Sequence, residues 1–377
     1  MSTSKILVCF GGISAEHEVS IITGLQVVEN IDRSRYEPYV VYCTALGEFF
    51  LLKDVKKRRD FTGSSRVPLT FGRDARGGFM KTSGLRGIKL YPDCAYMAFH
   101  GGSGECGQMQ GLMESLGIPY TSPTVEGSVI TMNKMLTKEV LKSSGVPVLE
   151  ATSVKSDEIL ADSQGVVRSI IEKVRLPVII KPVHLGSSIG IAVAKTDVEL
   201  EKRLLESAHV DSEILVETFL SEFVELNCAV RRVEDKLEVS EIERPISRDE
   251  ILSFADKYQR GGKKSGGGMA SLDREIPAKI GQTIKEELQE LARKAFALCR
   301  CKGMVRVDFM LVNGKELYVT EINPIPGSMS YYLWEASGVS FTQQITDIIE
   351  QAIRDYRDTS GKKLEYSTDI VETFVKG

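Results

Sequence analysis

The chain is poor in the residues on which zinc hydrolases and disulfide-stapled proteins depend. Of its 377 residues only 4 are histidine, at His17, His100, His184 and His209. None sits in an HExxH pair, so a zinc hydrolase is disfavoured. The cysteines number 7, an odd count with scattered spacing, and no disulfide framework is expected from them. Cys299 and Cys301 lie too close to form half of a CxxC knuckle. No apolar run approaches the ~20 residues of a membrane helix. The short run ending at Phe10 follows a polar start and does not read as a signal peptide. Net charge is nearly absent too: 48 basic against 52 acidic residues leave -4. That balance gives no footprint for nucleic acid or an anionic membrane. GxGxxG and GxxxxGK[ST] are both missing, which disfavours a Rossmann dinucleotide site and a Walker A loop. A soluble, cytoplasmic chain without nucleic-acid or membrane partners is expected.

What remains is ordinary globular material, 42% hydrophobic and 27% charged. At ~150 residues per domain the length suggests two or three domains. Lys5 to Phe10 reads as a strand ending in Gly11-Gly12, Ser20 to Asn30 as a helix, and Tyr39 to Cys43 and Cys94 to Phe99 as further strands. This order predicts an α/β fold with a parallel sheet under covering helices. Asp54 to Arg86 is polar and glycine-bearing and reads as loops with weak strands. Asn133 is a candidate cap for a helix reaching Ser143, stopped by Gly145-Val146-Pro147. A helix over 157–174 leads into the strand 178–182, followed by a strand at 191–194 and another at 213–219. Strands at 226–232 and 237–243 precede a glycine-rich stretch, Gln259 to Ser271, with few apolar residues to anchor it. Helices are predicted at 284–299 and 341–356, and strands at 304–311 and 317–322.

Asn313-Gly314 between those last two strands predicts a two-residue type I′ hairpin. Arg306 then lies opposite Glu321 and Asp308 opposite Val319. With side chains alternating at period 2, Arg306, Asp308, Glu321 and Asn323 share one face. Val305, Val307, Phe309, Tyr318, Thr320 and Ile322 share the other. A salt-bridged surface is one reading of the polar face. The other is a divalent-cation site, because two carboxylates and an amide oxygen are hard ligands suited to Mg²⁺ that also bridges phosphates. Asn323-Pro324-Ile325-Pro326-Gly327 is a stiff turn whose terminal glycine lets backbone N–H groups approach an oxyanion. Lys181 to Gly190 places a lysine at a strand end before a Gly/Ser turn. Either an ordinary hairpin turn or a loop closing over phosphate oxygens fits it.

Taken in order, these segments resemble the D-alanine–D-alanine ligase family of the ATP-grasp superfamily. The resemblance is carried by Gly11 to Ser20, His100 to Glu105 with Gln110-Gly111, Met132-Asn133-Lys134, Lys181 to Gly190, Asp256-Lys257-Tyr258, Arg306-Val307-Asp308 and Glu321 to Gly327. It spans nearly the whole chain. It implies an ATP-grasp fold with an N-terminal parallel-sheet domain (residues 1–122), a central lid domain (123–220) and a C-terminal α+β domain (221–377) with a mobile loop near 252–275. It implies a cytoplasmic enzyme that joins two amino acids for peptidoglycan through an acyl phosphate, using ATP and two Mg²⁺, with Mn²⁺ as a substitute, and working as a homodimer.

The resemblance also implies roles. Lys134, Lys181 and Lys257 meet ATP phosphates, with Ser187 and Ser188 in the covering loop. Glu217 to Leu220, including Phe219, read the base through backbone groups, and Glu225 holds ribose. Asp308, Glu321 and Asn323 ligate the metals. Glu16, with Ser187 and Tyr258, receives the first ammonium. Arg306 and the Gly327 N–H stabilise the tetrahedral intermediate. His100 orients the glycine loop. Three departures stand out. Glu105-Cys106-Gly107 replaces Glu-Asp-Gly, with Cys106 read as a packed small residue rather than a nucleophile. Leu252 to Asp256 replaces a Tyr-Asp-Tyr-Glu-like run. Tyr332 occupies the position of a serine that holds the second substrate's carboxylate. Ser328, Ser330 and Leu333 line the same region, with the two serines as substitutes. The acceptor therefore stays open between D-alanine and another amino acid of a specialised pathway.

Overall fold

A computed structural model describes residues 3–84, 87–186, 190–246, 274–360 and 370–376. Ser187, Ser188, Lys257, Tyr258 and the glycine-rich stretch 259–271 lie outside these residues. The described chain runs β1 (Ser4–Gly11), α1 (His17–Asn30), β2 (Tyr36–Cys43), β3 (Phe49–Leu52), β4 (Arg66–Asp74), β5 (Gly77–Thr82), β6 (Lys89–Leu90), β7 (Cys94–Met97), α2 (Gln108–Leu116), α3 (Val125–Met132) and α4 (Lys134–Ser143). It continues through β8 (Ala151–Lys155), α5 (Ser156–Ala161), α6 (Ser163–Lys173), β9 (Val178–Pro182), β10 (Ala192–Ala194), α7 (Asp197–Ser207), β11 (Glu213–Thr218), β12 (Val224–Val233), β13 (Lys236–Val239), β14 (Arg244–Pro245) and β15 (Arg274–Glu275). The last elements are α8 (Gln282–Leu298), β16 (Met304–Val312), β17 (Glu316–Asn323), α9 (Tyr331–Ala336), α10 (Phe341–Ser360) and α11 (Ile370–Lys376).

Three larger sheets result. The first has the order β6-β5-β4-β3-β2-β1-β7. Only β1 with β2 and β1 with β7 run parallel, as the strand–helix–strand pattern predicts. The rest is antiparallel, and β4 with β5 is a full hairpin rather than loop. Its residues read as polar because few of them, such as Leu69 and Met80, turn inward; antiparallel strands can leave one face in water. The second sheet, β10-β9-β11-β8, and the third, β13-β12-β16-β17, are antiparallel throughout.

Local chemistry accounts for the helix ends. Asn133 caps α4 as expected, accepting from the Leu136 N–H at 2.8 Å. The helix predicted over 157–174 is broken at Asp162, whose extended backbone (φ -150) ends α5 while its carboxylate accepts from the Gly165 N–H at 2.9 Å to start α6.

The β16–β17 hairpin corrects the expected register. Asn313 and Gly314 have φ 52 and 68, and the Lys315 N–H donates to the Val312 carbonyl at 3.1 Å, so the type I′ turn is there. The ladder nevertheless starts at Val312 with Glu316, and a second slip falls between Asp308 and Phe309. Asp308 therefore faces Glu321, and Arg306 faces Asn323. Two slips of one residue restore parity, so the four polar side chains still share a face. Between the slips parity is reversed. Leu317 and Val319, not Tyr318 and Thr320, join Ile322 in the core, while Thr320 donates to the Asp308 carbonyl at 3.0 Å.

The cores do not follow chain order. One joins the first sheet to C-terminal residues including Ile325, Leu333, Trp334, Ile345 and Ile349. A second joins the third sheet to α8 and to Leu141 and Val146. The packing is tight where α1 crosses β1: a Cβ on Gly24 would fall 2.1 Å from the Phe10 ring. Gly24→Ala should lower stability by about 1–3 kcal/mol through overpacking. Urea unfolding measures it, and an unchanged midpoint would show that the helix can back away.

Candidate active site

The polar face of the third sheet is built on a buried fork. Arg306 Nε donates to Asp308 Oδ1 at 2.6 Å and Nη2 to Oδ2 at 2.7 Å. Asn323 Nδ2 adds a third bond to Oδ2 at 3.1 Å. Both charged residues are buried, as a paired charge can be. Burial pushes Asp308 up to about 7 against the pull of Arg306, with Glu321 and Glu225 adding like charge.

Lysines gather opposite. Lys181 of β9 donates to Glu217 Oε2 of β11 at 2.6 Å, and Lys138 of α4 pairs with Oε1 of the same carboxylate. Lys134 Nζ reaches the Leu185 carbonyl at 2.5 Å. Burial lowers the pKa of Lys134 and Lys138; for Lys181 the Glu217 carboxylate overrides burial and raises it. Glu321 acts electrostatically on all three lysines, and Glu225 on Lys181 and Asp308. The Glu217 side chain is thus a two-lysine anchor, which the sequence reading did not assign. Lys138 was missed altogether. Its signal was its place one helical turn after Lys134 on a capped helix.

The first domain closes the cleft. Glu16, just before α1, sits between two glycines: a Cβ on Gly101 would lie 2.8 Å from its Oε2, and one on Gly186 3.0 Å away. Glu16 thus lies beside the chain at Gly186, next to Ser187. Glu105 accepts from the Gly101 N–H at 2.5 Å and from the Ile325 N–H at 2.9 Å. Burial, helped by the Glu16 charge, pushes its carboxyl up to about 8. His100 bonds Thr23 Oγ1 at 2.7 Å, and burial takes it down to about 4. Burial thus favours its neutral form.

The turn after Asn323 is strained. Ser328, Met329 and Ser330 have φ 50, 52 and 44, a left-handed run that costs about 1–2 kcal/mol per non-glycine residue. It is held by the Ser328 N–H on Thr23 Oγ1 (3.1 Å), the Met329 N–H on the Pro326 carbonyl (2.8 Å) and Gln344 Nε2 on the Met329 carbonyl (2.7 Å). Ser328 and Ser330 are buried, and Leu333 is wholly inside the first core. Tyr332 donates to Glu243 at 3.2 Å, and Arg274, which holds the same carboxylate at 2.7 Å, lies 3.8 Å over its ring.

One cleft is lined by Glu16, His100, Glu105, Lys134, Gly186, Arg306, Glu321, Asn323 and Gly327. Lys181, Glu217, Glu225 and Asp308 are not among these lining residues. Among the described residues no three Asp, Glu, His or Cys side chains form a ready cage for a metal ion. Asp308 and Glu321 face each other beside Asn323, an oxygen set that suits a cation completing its shell with phosphate and water. No described helix is long and apolar enough to cross a membrane.

Two family models match, D-ala D-ala ligase N-terminus over residues 5–123 and D-ala D-ala ligase C-terminus over 140–350. The chain belongs to the D-alanine–D-alanine ligase family. It is 32% identical over 372 residues to the D-alanine–D-alanine ligase of Thermosipho africanus, covering 97% of this chain and 98% of that protein. The structure of the Coxiella burnetii D-alanine–D-alanine ligase superposes with a TM-score of 0.78 at 25% identity over the full length of both chains. The VanG D-Ala:D-Ser ligase of Enterococcus faecalis gives 0.78 at 25% identity over 93% of this chain and 100% of that one.

A pH test follows from Glu105. Its carboxyl has a folded value of about 8, above the ~4.3 of an unfolded glutamate. The stability it supplies is therefore complete below ~4.3 and is lost as pH rises toward 8. Glu105→Gln should flatten the fall in urea midpoint between pH 5 and pH 8. An identical slope in both proteins would show that Glu105 is ionised in the fold.

Proposed function

We propose that this protein is an ATP-dependent ligase that joins two D-alanine molecules, with release of ADP and phosphate, for a peptidoglycan precursor. The observation that carries the reading is one cleft that brings together Glu16 from the loop after β1, Lys134 from α4, Arg306, Glu321 and Asn323 from the third sheet, and Gly327 from the turn after it. A carboxylate is a poor electrophile at pH 7. Phosphorylation by ATP turns the first amino acid into an acyl phosphate, and the free amine of the second attacks its carbonyl carbon.

The chain's residues divide that work. Glu16 takes the first ammonium, with Ser187 and Tyr258 joining it from beyond the described residues. Lys134, Lys181 and Lys257 balance phosphate charge under Ser187 and Ser188. Backbone groups of Glu217 to Leu220 read the base, and Glu225 holds ribose. Arg306 and the Gly327 N–H receive the oxyanion. Asp308, Glu321 and Asn323 would hold two Mg²⁺, or Mn²⁺, which when bound supply neutralisation of phosphate oxygens. Tyr332 takes part in placing the acceptor carboxylate. The curated relative's name favours D-alanine as acceptor. A cytoplasmic homodimer is part of the same proposal, and sedimentation of the purified protein tests the dimer.

The decisive experiment supplies ATP, Mg²⁺ and a panel of D- and L-amino acids and identifies the products. D-alanyl-D-alanine should form fastest; D-alanine turning over no better than the others would overturn the reading. Glu321→Gln should lower kcat by about 100-fold or more while preserving the fold, and unchanged turnover at saturating Mg²⁺ contradicts its metal role. Glu16→Gln should raise KM for the first D-alanine by about 10-fold or more through loss of a charged hydrogen bond, with ATP affinity intact. An effect confined to ATP would misplace it.

A further inference from the structure

Lys138 is a buried cation that the proposed reaction does not use. It lies in the middle of α4 with its side chain 5% exposed, against 13% for Lys181; neither is among the residues lining the cleft. Lys134 lies one helical turn before it, so both project from one helix face. Across from that face Lys181 is paired in register with Leu215, and Glu217 lies two residues further along the same strand face. Lys181 and Glu217 are therefore diagonal neighbours.

The Glu217 side chain is 1% exposed, and its two oxygens are divided, Oε2 to Lys181 at 2.6 Å and Oε1 to Lys138. Were Lys181 the carboxylate's only partner, the two would make a neutral pair, and both oxygens would draw on one ammonium. With Lys138 present the trio carries a net positive charge in a space of low dielectric, where charge acts strongly. Of its two lysines, Lys181 is the more accessible, 13% against 5%. The surplus charge is thus presented at Lys181.

We infer that Lys138 is a positioning residue: by occupying one oxygen of Glu217 it fixes the Lys181 ammonium and leaves its charge available to a nucleotide polyphosphate that Lys138 never touches. The inference rests on the assignment of Lys181 to nucleotide phosphates.

Calorimetric titration of the purified full-length protein with ADP in the presence of Mg²⁺ tests it, alongside KM for ATP and for D-alanine. Lys138→Met should weaken ADP binding and raise KM for ATP by about tenfold or more, with KM for D-alanine within about twofold. Lys138→Arg should restore most of the loss. The double variant Lys138→Met with Glu217→Gln removes one charge of each sign, keeps the Glu217 backbone groups proposed to read the base, and leaves Lys181 as the remaining cation of the trio. It should bind ADP within about threefold of wild type, a coupling that a purely structural lysine would not show. Wild-type affinity in Lys138→Met overturns the inference, as does a double variant no better than the single one. Should Lys138→Met not fold, Lys138→Gln, which likewise removes the charge while leaving the Lys181–Glu217 pair matched, is titrated in its place, and wild-type ADP affinity there overturns the inference equally. Failure of the wild-type protein itself to bind ADP would instead sink the nucleotide reading of Lys181.

Discussion

Charge taken out of water must find a partner, and here the partners come from different parts of the chain. Arg306 and Asp308 pair within one strand, but Asn323 of the neighbouring strand completes the set. Glu217 is satisfied only when α4 and β9 both reach it. Glu105, from the loop after the first sheet, meets burial the other way: its carboxyl is pushed toward the neutral form and accepts from the backbone of the turn that follows the third. Removing one member of such a set strands a buried charge, which is far costlier than losing an exposed pair. The cleft inherits its rigidity from these matched charges.

The strained turn at 328–330 belongs to the same economy of position. Three left-handed non-glycine residues persist because Thr23, Gln344 and the Pro326 carbonyl bind their backbone groups. Thr23 also bonds His100. Through Thr23 the glycine loop after the first sheet and the turn bearing Gly327 are thus tied to each other. This joins the place proposed for the first amino acid to the place proposed for the oxyanion.

Much of this was legible in advance where a local rule governs. Asn133 capped its helix, the Asn313-Gly314 turn formed, and the parallel pairing of β1 was visible in strand–helix–strand order. The β16–β17 pairing shows the boundary of such rules. Turn chemistry is local, but the slip near Thr320 lets Leu317, Val319 and Ile322 all enter one core, and no count from the turn outward can foresee it. The β4–β5 hairpin was hidden for a related reason, since a strand with one wet face carries a weak apolar signal. Lys138 was hidden because buried lysines are rare, and only the opposing carboxylate makes one tolerable.

The sequence alone determined which chemistry was on offer: oxygen-bearing side chains at Asp308, Glu321 and Asn323, lysines at 134 and 181, a carboxylate at 16, and glycines where backbone must come close. Those follow from side-chain type and spacing, and from motifs in a recognisable order. Tertiary structure alone decided the partners, setting Asp308 against Glu321, Glu217 between two lysines, and Glu16 between Gly101 and Gly186. Spacing along the chain specifies neighbours within a helix or strand. Which charges meet across elements is set by how the elements pack, because only the folded arrangement can exclude water from every member of a buried set at once.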